Sequence, residues 1–141
     1  MMGSECRILR DKLIVGILKI NPWKNDAYGE LNGHMLTFKS KGFTQSKIII
    51  LDIDKKNELG FIDLNYWKQT AQITYQGKEF HFKFKSWLQN GWEMKGEEEN
   101  ASSTPNGFWG TQGTIDDENA TSPLILCGLY INETFKRQVV V

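Results

Sequence analysis

Three groups of residues in this chain could do chemistry, and each asks for a particular partner. The acidic run "DIDKKNELGFID" at 52–63 has the look of a calcium loop, with Asp52 and Asp54 at the first two ligand positions. The run then departs from that pattern. Lys56 stands where a third oxygen ligand belongs, Asn57 where glycine makes the sharp bend, and Asp63 where a bidentate Glu closes the site. A plain turn between two strands explains the segment better. The two histidines, His34 and His81, have no Cys or carboxylate at ligand spacing and read as residues on strand surfaces. No nucleophile motif, phosphate loop or carboxylate pair is present. The expectation is therefore a protein that is not an enzyme and uses neither metal nor cofactor.

The lysines are the third group. Lys39, Lys41, Lys83 and Lys85 alternate with apolar residues and so share one outward face, while Lys24 and Lys68 lie in nearby turns. Such a face suits anionic phospholipid head groups, where each well-placed Lys contributes about 1 kcal/mol near a charged membrane. An alternating strand also puts Lys toward water by default, and edge lysines discourage aggregation. The alternative is a protein-interaction or structural domain with no lipid ligand, working through the acidic 97–107 loop or an exposed sheet edge. A lipocalin-like carrier is a third reading, and it needs an empty lumen.

Composition narrows the partners. The 141 residues fit one domain, residues 1–141, that can bury roughly two-thirds of its unfolded surface. Seventeen basic residues balance seventeen acidic ones, which argues against bulk nucleic-acid binding. Aromatics make up 12%, with eight Phe and five Trp, and favour β-structure. The first residues carry no apolar core of a secretory signal, and the longest apolar run, 123–131, is too short to span a bilayer. The expected location is cytoplasmic, or peripheral to a membrane. Cys6 and Cys127 are then free thiols, the first exposed and the second buried, and the glycosylation sequons at Asn100, Asn119 and Asn132 carry no weight.

The elements that position the lysines come from an internal repeat. Residues 15–50 align with 59–94 without a gap. Identities include Gly16/Gly60, Asn21/Asn65, Trp23/Trp67, Lys24/Lys68, Ala27/Ala71, Gly33/Gly77, Phe38/Phe82, Lys39/Lys83 and Gln45/Gln89, where chance would give roughly two. A repeat of this size marks a duplicated supersecondary unit. Leu18 and Ile20 alternate with Ile17 and Lys19, as Ile62 and Leu64 do with Phe61 and Asp63. Asn32-Gly33 is a strong two-residue hairpin signal, and Gln76-Gly77 takes its place in the second copy. Phe80, Phe82 and Phe84 then alternate with polar residues, echoing Leu36 and Phe38. A last strand closes each copy at 47–53 and 91–95. Each copy is thus a four-stranded antiparallel meander, followed by a polar loop at 96–107 and a strand at 108–115.

The tail reads as a helix over 122–137. Thr121-Ser122-Pro123 supplies a cap and an early proline, and Asp116, Asp117 and Glu118 precede it. Over its first two turns the segment "LILCGLYI" is apolar all round, so it must be buried on every side. Only an enclosing sheet can do that here, and a helix inside the sheet counts against the carrier reading.

Two related meanders, a short third segment and a C-terminal apolar helix together resemble the tubby-like superfamily, and within it the LURP-one-related proteins. The residues carrying the resemblance are the Gly16 and Gly60 strands, the Trp23-Lys24 and Trp67-Lys68 turns, the two hairpins and "SPLILCGLYI". The resemblance covers roughly residues 10–138. It implies a mainly β fold, an antiparallel β-barrel of two pseudo-symmetric meanders around the buried helix. It also implies kinship with phosphoinositide-binding tubby proteins and phospholipid scramblases. At 141 residues the chain is short for a twelve-stranded barrel, so strands are missing or the barrel is open. None of the family's lipid-binding residues maps onto a position here.

Overall fold

The computed structural model describes residues 4–10, 13–21, 26–42, 46–85, 91–106, 112–116 and 121–139. The first meander comprises β2 (Leu13–Ile20), β3 (Ala27–Leu31), β4 (His34–Lys41) and β5 (Lys47–Leu51). The second comprises β6 (Glu58–Asn65), β7 (Thr70–Tyr75), β8 (Lys78–Phe84) and β9 (Trp92–Lys95). The strand β1 (Ser4–Arg10) precedes them, β10 (Asn100–Asn106) and β11 (Gln112–Asp116) follow, and α1 (Ser122–Val139) ends the chain. All eleven strands form one sheet in sequence order, each antiparallel to the next. Among the described residues no pairing joins β1 to β11, so hydrogen bonds do not close the sheet.

The duplicated turns adopt the same local geometry. Asn32 and Gly33 have φ of 51° and 84°, and Gln76 and Gly77 have 48° and 80°. Positive φ at both central residues matches the right-handed twist of the flanking strands. Glycine meets this demand at no steric cost and Asn tolerates it; Gln76 takes it with its N–H donated to Leu59 O at 2.9 Å. Those turns set the alternation: Leu18, Ile20, Leu36, Phe38, Ile48 and Ile50 are buried, and so are their counterparts Ile62, Leu64, Phe80, Phe82, Trp92 and Met94.

The helix is the interior. Leu124, Ile125, Leu126, Cys127, Leu129, Tyr130, Ile131 and Phe135 are all buried, and α1 packs on β2, β3, β4, β9 and β10. The Phe38 and Tyr130 rings stack at 4.5 Å with 7° between planes. Phe135 meets Phe82 at 6.1 Å and the edge of Tyr66 at 5.8 Å. At Gly128 the helix and β9 come so close that a Cβ would fall 2.3 Å from Cη2 of Trp92. Two contacts fix the helix start. The Asn32 side-chain amide donates to Ser122 Oγ at 3.2 Å, and the Thr121 hydroxyl donates to Glu99 Oε2 at 3.2 Å. Glu99 thereby brings negative charge to the positive end of the helix dipole.

Several boundaries differ from the sequence reading. The polar stretch 96–107 is a tight turn closed by Gly96 N–H to Glu99 O at 3.0 Å, and then strand β10. Its inward residues are Ala101 and Ser103, both buried. Small side chains let the sheet pass close to the helix and leave no alternation of large apolar residues to read. The strand placed at 108–115 is β11, Gln112–Asp116; residues 107–111 lie outside the described residues. β5 ends at Leu51, because Asp52 turns the chain. Strand β1 has no counterpart in the sequence pattern, and pairing with β2 makes Cys6 half-buried rather than exposed.

If the helix is the core, truncating it must be costly. Leu126→Ala and Ile131→Ala should each lower the unfolding free energy by about 2–5 kcal/mol in urea titrations, from lost transfer energy and the cavity left behind. Losses below about 1 kcal/mol would place α1 on the surface.

Candidate functional site

In a meander every second turn lies at the same end of the sheet. One end holds the β3–β4, β5–β6, β7–β8 and β9–β10 turns and the start of α1. The other holds the β2–β3, β4–β5, β6–β7 and β8–β9 connections and the last turns of α1. The charged residues divide between these ends. Glu30, Asp52, Asp54, Glu58, Glu79, Glu97, Glu98 and Glu99 belong to the first, with Arg10, Lys55, Lys56, Lys78 and Lys95 among them. Lys39, Lys41, Lys68, Lys83 and Lys85 belong to the second, with Glu5, Asp26, Asp63 and Glu93 among them.

The five described candidate lysines are all exposed; Lys24 lies outside the described residues. The register refines their grouping. Lys39 and Lys41 are on β4, and Lys83 is on β8 with Lys85 just beyond it. Four strand steps separate the pairs, about 19 Å along the sheet at normal strand spacing. They form two clusters at one end rather than one patch. Lys83 Nζ lies 3.3 Å from Glu93 Oε1, whereas Lys39 and Lys41 have no ion-pair partner among the described residues. Two further lysines, missed in the sequence, join this end. Lys19 is on the outward side of β2, and Lys47 opens β5 with its ammonium 4.8 Å from the Phe61 ring centroid. Among the lysines stands Trp67, 94% exposed in the β6–β7 turn.

The remaining candidates resolve into local structure. The Asp52 carboxylate faces its own turn. It accepts from the Asn57 side-chain amide at 2.7 Å and from the backbone N–H of Lys56 and Asn57 at 3.0 and 3.3 Å. These contacts make it a turn cap. His34 and His81 are exposed strand residues, and among the described residues no three His, Cys, Asp or Glu side chains converge on a metal position. Burial pushes the Cys127 thiol up to about 12. Near the acidic end a groove of about 510 Å³ runs between Phe80 and Glu97–Glu99, crossed by the 3.3 Å Lys78–Glu99 ion pair. No helix among the described residues is long and apolar enough to cross a membrane.

Comparison of the chain with protein-family models, curated proteins and solved structures yields no match.

Asp52 offers a direct check on the site geometry. The Asn57 amide, helped by the backbone N–H groups, holds its carboxyl below the ordinary 3.8 against a smaller opposing effect of burial. A depressed folded-state value means the contribution is present above the unfolded value and is lost as pH falls through the depressed one. Asp52 should titrate below 3.8 by NMR, and Asn57→Ala should move it back toward that value. An unshifted Asp52 would contradict the turn as described.

Proposed function

We propose that this protein is a non-enzymatic, membrane-peripheral module that binds anionic phospholipid head groups through the basic end of its sheet. The observation that carries this reading is charge separation along the strands. A chain of net charge zero carries most of its described lysines toward one end of the sheet and most of its described carboxylates toward the other. Such polarity orients the molecule in the field of a negative surface without requiring net positive charge. The cytoplasmic leaflet carries that negative potential and is the matching location.

The barrel reading belongs to the same proposal. Strands from both meanders pack on one helix, as in the filled barrel of the tubby-like type. With α1 in the interior, recognition falls to the outer surface and the two ends. A second reading, a protein partner with no lipid ligand, has one observation in its favour. Leu9, Leu13 and Ile14 are exposed together where β1 meets β2, at the acidic end.

Co-sedimentation with vesicles decides between them. Binding to vesicles that contain phosphatidylserine should exceed binding to pure phosphatidylcholine and fall steeply with salt, because exposed charges are screened within about 8 Å at physiological ionic strength. Replacing Lys39, Lys41, Lys83 and Lys85 together by Gln should abolish binding and leave the thermal melt unchanged. Equal binding by this variant and the wild type would refute the lysine site. No binding by the wild type would leave the protein-partner reading.

A further inference from the structure

We propose that the β6–β7 turn is the membrane-inserting tip of the basic end, with Trp67 as its anchor; this rests on the lipid reading above. Trp67 is 94% exposed, an unusual setting for the largest apolar side chain. The turn that carries it is built to keep it there. Asn65 Oδ1 accepts from the Lys68 N–H at 3.0 Å, and Gln69 takes a φ of +55° to bring the chain back into β7. On one side of Trp67, Tyr66 packs its ring against buried Phe135 at 5.8 Å. On the other, Lys68 is exposed. The backbone is therefore tied to the core while the indole projects from the end of the sheet.

The surroundings select the occupant. Lys68 adjoins Trp67 in the chain, and Lys83 sits opposite Thr70, the first residue after the turn. Lys85 continues beyond it. Lys83 is itself paired with Glu93 at 3.3 Å. An exposed amphipathic indole with Lys68 next to it, Lys83 two strands along and Lys85 just beyond matches the membrane–water interface, where the ring enters the acyl boundary and its N–H stays with polar groups. The lysines then meet anionic head groups. The other exposed apolar cluster, Leu9, Leu13 and Ile14, stands at the opposite end of the sheet, on its edge hairpin and away from Lys68, Lys83 and Lys85. The lysines beside it make the Trp67 turn, rather than that hairpin, the inserting element at the basic end.

The test uses the full chain and vesicles of phosphatidylcholine with phosphatidylserine, at low and high salt. Trp67→Ser should lower the partition coefficient about tenfold, equivalent to about 1.4 kcal/mol, at both salt concentrations. The salt slope should stay as in the wild type, because no charge is removed. In vesicles with brominated acyl chains, wild-type tryptophan emission should be quenched, and Trp67→Phe should show clearly less quenching, the chain's other tryptophans contributing the remainder. Undiminished binding by Trp67→Ser, or undiminished quenching in Trp67→Phe, would overturn the insertion while leaving the lipid reading intact. A loss of binding in Leu13→Ser/Ile14→Ser with none in Trp67→Ser would overturn it in favour of the hairpin. Failure of the wild type to bind anionic vesicles would remove the lipid reading and the insertion with it.

Discussion

The fold depends on hiding a helix that has no polar face over its first two turns. Large side chains point outward in every direction from 124 to 131, and each gains about 1.5–3 kcal/mol by leaving water. One layer of sheet covers one face. Covering all of them requires strands from both meanders to meet the same helix, as Phe38 of β4, Trp92 of β9 and Ala101 of β10 show. Close approach is allowed where side chains are small. Gly128 admits the Trp92 ring, and Ala101 and Ser103 line β10. The same helix fills the interior, so the ends and outer faces are left for recognition.

The duplication then fixes what the ends look like. A unit with an even number of strands returns the chain to the end where it began. Residues at matching positions in the two copies therefore reach the same end of the sheet and, by the two-residue side-chain period, the same side. Lys39 and Lys83 are such a pair, and so are Lys41 and Lys85. An odd number of strands per copy would have put them at opposite ends. The shared end of these four lysines follows from the repeat.

Much of this was legible in the residues. Phe80, Phe82 and Phe84 announce their strand, and Asn32-Gly33 its hairpin. The apolar helix could go only one place. What stayed hidden has physical reasons. β10 is read only through Ala101 and Ser103, whose small side chains give no hydrophobic period. β1 owes its place to pairing with β2, a long-range effect that local pattern does not encode. The lysines were visible as outward residues, yet their division into two clusters depends on counting strands between β4 and β8. Trp67 was legible as a turn residue; its exposure came from Tyr66 taking the buried side of that turn.

Hydrogen–deuterium exchange with and without anionic vesicles tests the claim that one end of the sheet faces the lipid. Slowed exchange confined to residues 65–70 and 39–42 upon vesicle binding, with the turns at 52–57 and 76–77 unchanged, is the expected result. Slowed exchange at the 52–57 and 76–77 turns, with none at 65–70, would contradict it.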